Sequence, residues 1–156
     1  MEREELQVLW DKFAAEEDEL IFPHFCRADA WDLGMALHEH SEKLGIPLSI
    51  QITINELPVF RYIPDGVTKN NLRWLERKHN MVMVREMSSR RAEIMLKMQG
   101  KTVADWFLDP EKYAGMGGGF PVRVEGTGII GSVCVSGPPA EQDHEIIVEV
   151  IRNYLK

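Results

Sequence analysis

Apolar positions along the chain change period from block to block. Leu6, Leu9, Trp10, Phe13 and Leu20 recur near helical spacing and predict a helix over residues 2–19. Trp31, Met35, Leu37, His38 and Leu44 predict a second over 29–45, stopped by Gly45 and Pro47. The period then drops to two: Leu48, Ile50, Ile52 and Ile54 alternate with Ser49, Gln51 and Thr53, as in a strand with one buried face. Asn55-Glu56 turns this strand into a second, Leu57 to Ile63, although Glu56 sits where glycine is easier.

After the turn Pro64-Asp65-Gly66, residues 70–99 contain no Gly or Pro and are rich in Leu, Met, Glu, Lys and Arg, which predicts helix. A straight helix of that length would reach about 45 Å, too long for one small domain, so a break is expected near Ser88-Ser89. A short helical turn over 102–108 and a loop Gly115-Met116-Gly117-Gly118-Gly119 follow. Phe120, Val122 and Val124 then alternate with Arg123 and Glu125, and Ile129, Gly131, Val133 and Val135 oppose Ile130, Ser132 and Cys134. The turn at 125–128 makes these strands a second hairpin. Pro138-Pro139 precedes a last helix with the apolar stripe Ile146, Ile147, Val150, Ile151 and Tyr154. Two hairpins separated by helices predict an α+β chain, residues 1–156 forming one domain, with an antiparallel sheet covered by helices.

Composition narrows the function classes. With 44% hydrophobic and 28% charged residues the balance is globular, and a net charge of −7 argues against general attraction to nucleic acid or anionic membrane. No window resembles a membrane span, and MEREELQVLW lacks the features of a secretory signal, so a cytoplasmic location is expected. Cys26 and Cys134 are isolated and are expected to be small core residues. Charge is uneven: residues 2–19 carry eight acids and two bases, whereas 73–101 carry eight bases and three acids. The basic stretch fits either a site for an anionic small molecule or a face that answers acidic helices.

Gly126-Thr127-Gly128-Ile129-Ile130-Gly131 matches GxGxxG but joins two strands, so it reads as a hairpin turn and not a dinucleotide fingerprint. The Gly115–Gly119 run would let backbone approach a ligand, with Arg123 the nearest permanent charge in sequence. Lys78 lies among Trp74, Leu75, Met81 and Val82; it either meets a ligand or snorkels to solvent, while Arg77 reads as surface. Five histidines (His24, His38, His40, His79, His144) show no HxxxH or HExxH spacing, so no metal site is expected. Asp143-His144 opens the last helix, either favouring its positive end or forming an acid–base pair.

GGGFPVRVEGTGIIGSVCVSGPPAEQDHE, residues 117–145, resembles the C-terminal signature of GlcG/HbpS-like proteins. WLERKHNMVMVREMSS (74–89) and ITINELPVFRY (52–62) resemble the short single-domain branch of that family, often labelled haem-degrading-domain proteins. The resemblance implies a profilin-like α/β/α arrangement around a five-stranded antiparallel sheet, assembly into symmetric homo-oligomers, and binding of haem or another small ligand. It places Lys78, Gly118, Pro121, Arg123, Gly131, Ser136, Gly137, Asp143 and His144 in matching motifs. Where many members of the branch carry histidines, this chain has Met116 and Glu86. The leading expectation is a homo-oligomeric small-ligand-binding protein using Lys78, Gly117, Gly118, Gly119 and Arg123, with haem or a related tetrapyrrole as the named candidate. An oligomeric adaptor that binds other proteins, and an enzyme using Asp143 with His144, are the alternatives.

Overall fold

The computed structural model describes residues 1–156. Helices α1 (Arg3–Glu19) and α2 (Arg27–Leu44) precede the hairpin β1 (Ser49–Ile54) and β2 (Leu57–Tyr62). Helices α3 (Lys69–Arg85) and α4 (Ser89–Gln99) and a 3-10 turn at Ala104–Trp106 lead to the hairpin β3 (Gly119–Val124) and β4 (Gly128–Ser136), and α5 (Ala140–Tyr154) closes the chain. The sheet runs β2-β1-β4-β3 with every neighbour antiparallel. No helix is long and apolar enough to cross a membrane.

The sheet has four strands, not the five expected. Beyond β3 the segment after α1 begins a fifth line. Phe22 N–H donates to Arg123 O (2.8 Å) and Glu125 N–H to Phe22 O (2.8 Å), a single parallel bridge. Pro23 follows, its missing N–H on the side turned away from β3, and no further bridge to β3 forms after it.

The expected helix break is present. Glu86 caps α3 in the left-handed region (φ 53), and Ser88 Oγ accepts from Arg91 N–H at 3.1 Å to start α4. In the β1–β2 turn both Asn55 (φ 49) and Glu56 (φ 66) are left-handed, the geometry of a two-residue hairpin turn.

Alternation divides the sheet. Ile50, Ile52, Phe60, Phe120, Val122, Val133 and Val135 join Leu33, Leu37, Ile147 and Ile151 of α2 and α5 in one apolar cluster. The opposite face carries Ser49, Gln51, Thr53, Ser132 and Cys134, all buried, beneath α3. Helix α1 lies on α4 instead of the sheet, through Leu6, Phe13 and Ile94.

Two side chains depart from expectation. Trp31 belongs to the α2 periodicity yet is 61% exposed, with only an edge-on contact to Phe60, because that stripe reaches past the edge strand β2. Cys26 is exposed as the N-cap of α2, its N–H donating to the Asp29 carboxylate at 2.8 Å; only Cys134 is in the interior.

The basic stretch is largely paired within the chain. Arg91 meets Glu17 (3.4 Å) and lies over Trp10, Arg90 meets Glu93 (2.8 Å), and Arg77 and Arg85 lie over Trp74 and Trp106. Acidic α1 thus finds basic partners on α4 of the same molecule.

Candidate functional site

Where the C-terminal end of β4 meets the start of α5 and the middle of α3, a cleft of about 210 Å³ opens over Lys78, Asp143 and Ser136. Asn71, Trp74 and Met116 form its rim. Lys78 does not snorkel. It is 3% exposed, and its Nζ donates to Val135 O (2.9 Å) and to Asp143 Oδ2 (3.1 Å). Asp143 is 2% exposed, and its other oxygen, Oδ1, is buried without a well-aligned hydrogen bond, the Gly137 backbone N–H being the remaining donor that favours the carboxylate. Burial pushes the Asp143 carboxyl up to about 7; the charge and hydrogen bond of Lys78 pull the other way without overcoming it. The larger hollows, between α2 and α5, between α1 and α5 and between α1 and α4, lie on outer helix surfaces and contain no such buried group.

The glycine loop forms the floor of this region, not an open anion cradle. Gly119 N–H donates to Ser89 Oγ (2.8 Å) and Gly117 N–H to the Glu93 carboxylate (3.3 Å), while Gly118 O accepts from Val135 N–H (2.8 Å). Glycine is required for space. A Cβ on Gly118, which also has φ +120, would lie 2.6 Å from Lys78 Nζ, and one on Gly117 would collide with the Ala140 carbonyl. Pro121 is buried on β3 opposite Ser132.

Arg123 is not beside the loop. It sits four residues along β3 from Gly119, about 13 Å at ~3.3 Å per residue, and pairs with Ile129 at the other end of the hairpin. Near Gly117 the permanent charge is Arg90, whose Cδ would lie 3.2 Å from a Cβ there. Asp143 and His144 also diverge, since successive helix residues are rotated by about 100°. His144 Nε2 lies 2.8 Å from Glu16 Oε1 and its ring meets Phe13 edge-on, on the α1 side. The two residues therefore do not form an acid–base couple.

A second polar group lies under α3. His79 Nδ1 is 2.6 Å from Ser132 Oγ, His79 Nε2 is 3.1 Å from Glu56, and Ser132 Oγ is 3.4 Å from Cys134 Sγ. Burial raises the Cys134 thiol to about 11, and Ser132 is fully buried, so neither is presented as a nucleophile. The alternation of Ser132, Cys134 and Ser136 against Val133 and Val135 was the available sequence signal for this polar face. Nothing in the sequence marked Asn71 or Trp74 as rim residues, because α3 reads as an ordinary helix there.

The cleft does not fit an enclosed tetrapyrrole. Its volume is below the roughly 300–1,000 Å³ of pockets that enclose drug-sized ligands. None of the five histidines lines it, and Met116 is its single soft donor.

Comparison with known proteins agrees with this architecture. The family described as haem degrading protein HbpS-like matches residues 25–152. A UPF0303 protein of Rhizobium etli is 41% identical over 140 residues, covering 90% of this chain and 85% of the relative. A UPF0303 protein of Paraburkholderia phytofirmans is 40% identical over 152 residues, covering 97% and 90%. Among solved structures, Ybr137w protein superposes with a TM-score of 0.85 at 22% identity (94% of this chain, 87% of that one), and HbpS with 0.67 at 21% (85% and 91%). A PduOC:heme complex superposes with 0.69 at 17% (82% and 93%). These structural likenesses concern the fold; the family match and the identity to the UPF0303 proteins place this chain in the HbpS-like family.

Proposed function

We propose that this chain is a small-ligand-binding protein and that the cleft over Lys78, Asp143 and Ser136 is its binding site. Asp143 Oδ1 carries the reading: a buried acceptor whose one remaining donor, the Gly137 N–H, is poorly aligned forfeits part of the about 1–3 kcal/mol of an unmet hydrogen bond, and a ligand N–H or O–H placed beside it recovers that part. Lys78 offers a donor next to it, Ser136 and Asn71 offer polar groups, and Trp74 and Met116 offer apolar walls. In this reading Gly117–Gly119 and Pro121 shape the floor, while Arg123 and His144 lie outside the site.

The resemblance to symmetric assemblies supports a homo-oligomer. Native mass spectrometry of protein purified without added ligand reads subunit number and retained molecules together. The expected result is a multimer of the 17.9 kDa chain. The retained molecule should lose at least about tenfold in occupancy in Asp143→Asn. Equal retention by wild type and variant would move the site elsewhere.

The solved PduOC:heme complex favours a second reading, with haem held on an outer surface or between copies and Met116, 41% exposed, as its sulfur ligand. A saturable Soret shift on haemin titration, lost in Met116→Ala, supports this reading. A featureless titration at micromolar protein removes it.

A further inference from the structure

The geometry points to Lys78 as a carbonyl-trapping amine: a small aldehyde or ketone entering the cleft condenses with its Nζ to an iminium, with Asp143 carrying the protons. This rests on the cleft being a small-ligand site and names the ligand class. Of the eight lysines, Lys78 alone is buried; the other seven are all exposed. An amine held away from water is spared competition from bulk solvation. The cleft limits the partner to a small molecule, since about 210 Å³ is room for about seven waters at ~30 Å³ each.

The contacts of Nζ suit the reaction. Two of its three N–H directions are taken, by Val135 O and Asp143 Oδ2, which leaves one position open beside the cleft. The missing Cβ of Gly118 leaves backbone without a side chain next to Nζ. Asp143 then has two roles for its two oxygens. Oδ2 takes the ammonium proton, and Oδ1, buried and short of a well-aligned hydrogen bond, is the oxygen left to meet the carbonyl-derived oxygen. A carboxyl pushed up to about 7 both accepts and releases protons near neutral pH.

The step balances without any other reactant. Lys78 passes one proton to Asp143, and its nitrogen lone pair forms a C–N bond as the carbonyl π bond breaks. Asp143 returns that proton to the oxygen, giving a carbinolamine. A second proton moves from nitrogen to the hydroxyl through Asp143, the C–O bond breaks, and water leaves. Ammonium plus carbonyl becomes iminium plus water, with nothing oxidised or reduced. One cation faces one carboxylate before and after, so no uncompensated charge is left in the buried site.

Acetaldehyde followed by borohydride tests this on the native protein, because borohydride fixes the iminium as an ethylated secondary amine that peptide mapping locates. The expected outcome is saturable ethylation of Lys78, faster than at exposed Lys12 or Lys69, with the preference lost in urea. In Asp143→Asn the labelling of Lys78 should slow by about a hundredfold. An unlabelled Lys78, or one labelled no faster than the exposed lysines, overturns the inference. Wild-type protein alone is enough for that outcome, whether or not a variant folds. A molecule retained in an Asp143-dependent way by native mass spectrometry, alongside an inert Lys78, would sink the amine chemistry and leave the binding site standing; failure of both removes both.

Discussion

The two faces of the sheet are built from the same four strands and differ in what they bury. Toward α2 and α5 the strands present Ile50, Ile52, Phe60, Val133 and Val135, closed by Ile147 and Ile151. Toward α3 they present Gln51, Thr53, Ser132 and Cys134, met by Lys78 and His79. The apolar face gains free energy from every side chain it removes from water. The polar face must satisfy each group it buries, and it largely does: Gln51 Oε1 accepts from Arg61 at 2.7 Å, and Ser132 meets His79. Ser49 Oγ and, beside the cleft, Asp143 Oδ1 are left without a well-aligned hydrogen bond. One face is closed by apolar packing, and the other, closed by paired polar groups, borders the proposed site.

The largest expected effect separates the two kinds of burial. Lys78→Met leaves Asp143 without its cation and should cost about 3–5 kcal/mol, whereas adding Asp143→Leu should recover most of that loss, since a buried ion pair replaced by apolar groups is often neutral. Urea denaturation of wild type, single and double variants checks it. A double variant as unstable as the single would show the pair to be a stability element in its own right. On the opposite face, Ile52→Ala should cost about 2–5 kcal/mol by the same measurement, and no second substitution across the sheet should rescue it.

The pH dependence of stability sharpens the contrast further. The Asp143 carboxyl is raised from 3.8 to about 7, so between those values the folded chain holds a proton that the unfolded chain releases. The resulting stabilisation is fully present below about 3.8 and is lost as pH rises through about 7. Relative to Asp143→Asn, the wild type should therefore lose stability across that window. Parallel urea midpoints in the two proteins would contradict the raised carboxyl. Ile52→Ala, carrying no titrating group, should only displace the curve.

The smallest effect is at the sheet's edge. Glu56→Gly relieves a left-handed residue (φ 66) and gives up a part-buried hydrogen bond to His79, opposing effects of about 1 kcal/mol each, so its net change should stay within about 0.5 kcal/mol. A larger loss would show that Glu56 anchors the polar face.

Much of the fold was legible because it depends on short-range patterning. The switch from helical period to strict alternation located both hairpins, the absence of Gly and Pro located α3 and α4, and chain length demanded the break that occurs between Arg85 and Ser89. The fifth strand was not legible in this way: it rested on resemblance, and that edge carries one bridge at Phe22 in place of a strand. Trp31 fitted the helical pattern and is nonetheless exposed, since periodicity says which residues share a face but not where the neighbouring sheet ends.

For the candidate site, residue types in the sequence already marked Lys78, Asp143 and the glycines, because an apolar setting for a lysine and a dense glycine run are local features, while Ser136 was marked only by the family resemblance. Their grouping was a tertiary matter. Lys78 and Asp143 are 65 residues apart and meet at 3.1 Å only because α3 and α5 both converge on the end of β4. Arg123 and His144, neighbours of the site in sequence, are carried away from it by strand rise and helix rotation. Sequence by itself thus determined the elements, the two-faced sheet and the inventory of reactive groups, all set by local propensity and period. Only the packing of helices on that sheet decided which groups share a cleft, because burial and through-space distance belong to the folded chain and not to its residue order.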